Sequence, residues 1–338
     1  MLKHKYNLNA ENYFIGHNLP KISLAKKQKT LKKTLSFSGI GLHSGNKIKM
    51  TLKPAPPDTG FVFRKKNRRG ELTEIKASHK NVKSTNMCTL LSNSSGDYVS
   101  TVEHILSALY GYEIDNIFIE IDSTEIPVYD GSSKFFINEF ERVGFEEQDV
   151  FKKYIKILKT VEVKQGNKLV RVSPFDQTLI TSDINFENKV IGKQSISMLL
   201  TPEIYKTQIS SARTFGFLDQ VDALRKKGLA LGGSLENAVV LDKDSVLNPD
   251  GLRFSDEFVR HKVLDFIGDI SLAGYRLLGS FYTSSSGHEL NVKLIDKIFE
   301  SSSNWKLVCS NWFKILIYLE LKSFKNITMI LRNLISIF

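Results

Sequence analysis

The segment FVRHKVLDFIGD, residues 258–269, places His261, Asp265 and Asp269 at intervals of four. On a helix such residues stack on one face, a turn apart. An imidazole and a carboxylate one turn apart make a ligand pair for a divalent metal such as zinc. The same spacing also suits a satisfied polar stripe, with Asp265 bonded to His261, Lys262 or Arg260. Phe258, Val259, Val263, Leu264, Phe266 and Ile267 fill much of the remaining circumference. A helix that is apolar nearly all round is usually interior, and a buried carboxylate needs a partner or a metal. Other residues with chemical potential are the adjacent Glu103 and His104, His43 in a Gly41–Gly45 turn, and His288 after a Ser/Gly turn. Glu103 and His104 point about 100° apart on a helix; both can line a cleft if the helix N-terminus faces it.

These side chains need elements to hold them. TLSFSGIGLHSG reads as a strand entering a glycine turn, and KIKMTLKPA alternates like a half-buried strand before Pro54, Pro56 and Pro57 stop it. Ser100 or Thr101 can cap a helix through Gly111, with Glu103 in its first turn. IDNIFIEI is β-patterned, and SSKFFINEFERVG is a helix ending near Gly144. EEQDVFKK is a polar stretch that suits a domain boundary around residues 146–153. YIKILKTVEV, KLVRVSPF and TLITSDINF read as three strands of a second sheet, and LDQVDALRKKG as a helix stopped by Gly228. Gly232-Gly233 lacks the Lys-Ser/Thr of a phosphate loop and marks a turn or a close approach to ligand. Ser255-Asp256-Glu257 offers a cap and an acidic first turn to the long helix. YRLLGSFYTSSSGH is a strand leading to His288, and ELNVKLIDKIF a last helix. Strands, helix, strand, helix, then strands again suggest two α+β domains rather than βαβ repeats.

The length of 338 residues accommodates two domains, and 41% hydrophobic content with 22 Phe supports a packed core. The net charge of +11 suits an anionic partner: nucleic acid, a membrane surface or a phosphorylated ligand. The excess is concentrated at the ends, with six Lys against Glu11 in residues 1–30 and five basic residues against Glu320 in residues 305–338. No nucleic-acid recognition motif accompanies it, so no nucleic-acid partner is expected. Cys88 and Cys309 form no CxxC or disulfide framework, which fits a reducing cytoplasm. No secretory signal and no membrane-spanning run is apparent, and no HExxH helix of a zinc protease is present.

Four blocks together resemble the bacterial UDP-3-O-acyl-N-acetylglucosamine deacetylases, zinc enzymes of the committed step of lipid A synthesis in Gram-negative bacteria. They are SGIGLHSG (38–45), STVEHILSAL with IDNIFIEI and EIPVYDGS (100–132), SARTFGF with GLALGGSLENAVV (211–240), and DGLRFSDEFVRHKVLDFIGD through SGHELN (250–291). The resemblance runs from about Lys32 to Ile298. It implies zinc, or iron(II), held by His104, His261 and Asp265, with a position open for water. It implies Glu103 as general base, Thr214 and the metal as oxyanion stabilisers, and His288, oriented by Asp269, as the acid that protonates the leaving amine. Lys262 would lie near the oxyanion or a substrate phosphate. Phe215, Leu218, Gly233 and His43 would contact the acyl chain or the nucleotide sugar, and Cys88 would lie near the metal without being essential.

The implied fold is α+β: two domains of similar topology, each a sheet with helices, their helical layers face to face and the site in the cleft between them. The expected divisions are residues 32–148 and 154–303, with an acyl-passage insert around 215–240. Residues 1–31 form a poorly ordered extension, and residues 304–338 an atypical basic tail. In the tail Ile327, Ile330, Leu331, Leu334, Ile335 and Phe338 keep helical spacing, which suggests peripheral contact with the inner membrane. A cytoplasmic monomer acting on the UDP-acyl-aminosugar is expected.

Overall fold

The computed structural model describes residues 26–67 and 69–310. The architecture is α+β, in two sheet-and-helix halves. The first half has a five-stranded sheet, in the order Leu35–Ile40, Lys47–Pro54, Ile117–Ile121, Phe61–Lys66 and Leu72–Lys76. Ile48, Met50 and Leu52 alternate into the core along the second strand, as a half-buried strand requires. Ile117–Ile121 runs parallel to Phe61–Lys66, a pairing that demands a crossover; the helix Glu103–Gly111 lies within it.

The second half is built around the strand Arg276–Ser284. It pairs in parallel with Lys153–Ile157 and with Thr178–Asn185, and antiparallel with Lys168–Ser173. Here too a helix, Glu257–Ile270, precedes the central strand, and another, His288–Phe299, follows it. In the first half Lys134–Val143 follows the central strand in the same way. The order helix, central strand, helix is thus common to both halves.

The helices Glu103–Gly111 and Glu257–Ile270 pack directly on each other. All of the first helix is buried, and of the second only Arg260 and Lys262 escape burial. Each buried Phe or Leu of this layer contributes about 1.5–3 kcal/mol. Gly268 sets the closeness: a Cβ there would lie 2.2 Å from the carbonyl oxygen of Glu103. No helix among the described residues is long and apolar enough to cross a membrane.

Several local expectations are corrected. Order begins before Lys32, because Lys27–Leu31 is a strand paired antiparallel with Phe145–Phe151, the polar stretch expected to be a boundary. Its lysines do not make it a tail; Leu31 is fully buried and Lys29 lies over the Phe145 ring. At the other end, Trp305–Cys309 is a strand on the edge of the second sheet, paired with Lys153–Ile157. The apolar positions Ile327 to Phe338 of the tail lie outside the described residues, as do residues 1–25. YIKILKTVEV is two strands, Lys153–Ile157 and Val161–Gln165. Neither proposed helix cap forms. The residue before Glu103 is Val102, and the Thr101 hydroxyl bonds Glu125 instead. Asp256 pairs with Arg260 rather than with a backbone N–H.

Candidate active site

The two packed helices bring three side chains to one point. The ligand atoms of His104, His261 and Asp265 lie within 4.8 Å of one another, and all three residues are buried. Asp265 Oδ1 is 3.3 Å from His261 Nε2 and 3.6 Å from His104 Nε2. His261 Nδ1 lies 3.2 Å from the Ala212 carbonyl. A carbonyl can only accept, so Nδ1 carries the hydrogen and Nε2 keeps its lone pair. Burial drives His261 down to about 4, although Asp265 opposes this; the ring is neutral. Burial would raise Asp265, but His261 and Lys262 hold it well below the usual carboxylate range. Lys262 Nζ donates to Asp265 Oδ2 at 3.0 Å, while Oδ1 is buried with no hydrogen-bond partner. An unpartnered buried carboxylate oxygen flanked by two imidazole nitrogens is costly as it stands. It is the donor set of a divalent metal, two nitrogens and one oxygen, with room for further ligands.

A second cluster adjoins the first. Glu103, in the first turn of its helix, is buried; burial raises its pKa, with His288 and His104 opposing. Its Oε1 lies 3.8 Å from His288 Nε2. His288 Nδ1 is 2.8 Å from Asp269 Oδ2. Burial would lower His288, but the charge and hydrogen bond of Asp269 prevail, and the imidazole is pushed up to about 10. The two four-residue steps of the long helix therefore lead to different places, Asp265 to the histidine pair and Asp269 to His288.

Both clusters open on a cavity of about 580 Å³. Its wall includes Glu103, His104, His261, Lys262, Asp265 and His288, together with His43, Thr214, Phe215, Leu218 and Gly233. Phe217, Val221, Leu224, Leu235, Val240 and Leu247 make the rest of it largely apolar. The insert supplies this wall: the strand Phe215–Phe217 pairs in parallel with Val239–Leu241, and the helix Leu218–Lys226 between them buries no residue fully. Phe215 packs edge-on against His261 with Lys262 over its ring. His43 comes from the Gly41–Gly45 turn, which Glu125 pins by accepting from the N–H groups of His43 and Ser44 at 2.7 and 2.8 Å. Its Nε2 has no partner. Asp269 stands behind His288 and off the cavity wall. Cys88 is buried, and burial and the nearby Glu103 push its thiol up to about 12.

The family match spans the residues that build both clusters: residues 28–300 match the UDP-3-O-acyl N-acetylglycosamine deacetylase family. The chain belongs to this family. It is accordingly a hydrolase of an amide bond. Among related proteins, the UDP-3-O-acyl-N-acetylglucosamine deacetylase of Histophilus somni is 45% identical over 284 residues, covering 83% of this chain and 93% of the relative. That of Campylobacter hominis is 47% identical over 283 residues, covering 83% and 95%. That of Pseudomonas entomophila is 46% identical over 285 residues, covering 83% and 93%.

Three site residues were not singled out from the sequence. Thr89 bonds both Glu103 and Asp269, and Asn291 bonds Asp269 Oδ2 at 2.8 Å. Glu257 is fully buried and forks with Arg213. Asn291 sits three residues after His288, on the same helical face, so its spacing was a usable signal. Glu257 shows in the sequence only as a first-turn acid. Thr89 carried no local signal.

Proposed function

We propose that this chain hydrolyses the acetamide of UDP-3-O-(3-hydroxyacyl)-N-acetylglucosamine, giving acetate and UDP-3-O-(3-hydroxyacyl)-glucosamine, as the committed step of lipid A biosynthesis. The observation that carries the reading is the unpartnered Asp265 oxygen between His104 and His261, set beside an ionisable Glu103 and a cationic His288. His104, His261 and Asp265 would hold zinc, with iron(II) as the other candidate. When bound, the metal supplies a Lewis acid that polarises the acetamide carbonyl and acidifies water.

The protein's own residues do the proton work. Glu103 Oε1 takes the proton of the attacking water; its raised pKa makes it a stronger base than an exposed carboxylate. His288, held protonated by Asp269, donates to the departing amine nitrogen. Thr214 and Lys262 offer a hydroxyl and an ammonium to the developing oxyanion or to a substrate phosphate. Phe215 and Leu218 line the passage for the acyl chain, and His43 and Gly233 meet the nucleotide sugar. The apolar wall of the insert suits a fatty chain.

The reading extends to domain limits at 32–148 and 154–303, the first enlarged by the strand Lys27–Leu31 and the second by the strand Trp305–Cys309. It also extends to a cytoplasmic monomer touching the inner membrane through the part of the expected tail that follows the strand Trp305–Cys309. Cell fractionation tests the last point: a tail-deleted chain that stays equally membrane-bound removes it. The central test is metal content measured with acetate release on one sample. About one metal per chain with chelator-sensitive turnover is expected. Absence of both after adding zinc returns the cluster to a buried polar stripe.

A further inference from the structure

Thr89 is fully buried in the segment that follows Cys88. Its backbone N–H donates to Glu103 Oε2 at 3.1 Å, and its hydroxyl donates to Asp269 Oδ1 at 2.7 Å. Its carbonyl accepts from the N–H of Val102, immediately before Glu103, at 3.4 Å. One residue therefore reaches the base carboxylate on one half of the molecule and the histidine-orienting carboxylate on the other.

The oxygens it occupies decide which ones stay free. With Oε2 of Glu103 held, Oε1 is the oxygen turned toward His288 Nε2. With Oδ1 of Asp269 held, Oδ2 is left for His288 Nδ1 and Asn291 Nδ2, both at 2.8 Å. A carboxylate pinned through one oxygen has its plane fixed, so the lone pairs of the other oxygen are aimed as well. Burial excludes water that could do the same job.

We propose that Thr89 is a positioning residue for this reaction: it fixes the rotation of Glu103 and Asp269 together, and so sets the placement of the proton acceptor relative to His288. The proposal rests on the deacetylase reading above. Thr89 touches neither cavity nor substrate and acts only through the two carboxylates.

The test uses the full chain loaded with zinc, assayed for acetate release. Thr89→Val keeps the shape and the backbone N–H but removes the hydroxyl. It is expected to lower kcat about 10- to 100-fold, the range for losing a hydrogen bond to a buried charge. KM and metal per chain stay at wild-type values. Thr89→Ser, which retains the hydroxyl, restores kcat to within about threefold. In a His288→Ala background the Thr89→Val change costs little further, because the group it serves is already gone. If Thr89→Val does not fold, Thr89→Ala against Thr89→Ser gives the same comparison. Wild-type kcat in the folded valine variant overturns the proposal, as does a serine variant as impaired as valine. So does a full additional loss in the His288→Ala background. If those results come while Glu103→Gln and His288→Ala remain impaired, the deacetylase reading stands and only the role of Thr89 falls. A wild-type enzyme without acetate release overturns both.

Discussion

Replacing Asp269 by Asn probes the proposed acid where it is most exposed to disproof. Asp269 is completely buried, and its Oδ2 sits 2.8 Å from His288 Nδ1. Burial alone would depress His288; Asp269, helped by Glu103 and Asp265, instead raises it from 6.5 to about 10. That interval corresponds to roughly 5 kcal/mol in favour of the imidazolium. With a divalent metal held by Asp265, the basic limb would fall below about 10. Asparagine keeps the shape and loses the charge. The strongest partner opposing burial is then lost, and His288 titrates lower than in wild type although Glu103 and Asp265 still favour the cation. On the basic side of the titration each unit of that fall leaves about a tenth of the protonated acid, so kcat drops about tenfold per unit. The sign is fixed, since an acid that must be protonated moves its limb to lower pH when its pKa falls. The assay is acetate release across the pH range, with metal content measured on each sample. A folded, metal-loaded Asp269→Asn enzyme whose basic limb coincides with wild type would refute the assignment of His288 as an acid governed by Asp269.

Glu103→Gln should retain its metal and lose about 10²- to 10⁴-fold in kcat; metal analysis with a turnover assay checks this, and near-normal turnover removes Glu103 as the base. Because burial raises Glu103 above the ordinary 4.5, the acid limb of kcat/KM should lie above that value, with activity lost as pH falls and the base is protonated; a limb below it contradicts the assignment. Asp265→Ala should lose metal on dialysis before it loses its fold, which metal quantification beside circular dichroism will show; full metal retention excludes Asp265 as a ligand. Gly268→Ala places a methyl against the Glu103 carbonyl and should destabilise by about 1–3 kcal/mol, seen as a lower Tm; an unchanged Tm means the two helices are not held at this spacing.

The sequence was most legible where the chemistry repeats with the helix. His261, Asp265 and Asp269 share a face because residues four apart must, and the structure delivers two of them to different partners on that face. His104 was not legible in that way, since an adjacent Glu-His pair says nothing about which half of the molecule it will meet. Its place beside Asp265 depends on the packing of two helices far apart in the chain, and only the resemblance pointed to it. The failed caps have the same cause. Thr101 and Asp256 are ordinary cap residues, but Glu125 and Arg260 are better partners once the tertiary structure has formed. Lys27–Leu31 reads as a basic tail because its lysines dominate a short window. What makes it a strand is a partner more than a hundred residues away.

The two aspartates of the long helix show why residue type alone assigns no role. They are one turn apart, both nearly or wholly buried, and opposed by different groups. Asp265 meets two imidazole nitrogens and Lys262, and one of its oxygens is left without a hydrogen. Asp269 meets donors on every side, from Thr89, His288 and Asn291, and has no oxygen left over. A carboxylate with an unsatisfied oxygen among lone pairs can take a metal; one already saturated with donors can only orient them. The division of labour thus follows from what each turn faces, and what each turn faces follows from Gly268, which sits between the two and lets the Glu103 helix approach. Widening that contact would move His104 and Glu103 away from the long helix together, so under the proposed roles one glycine bears on both a metal ligand and the base.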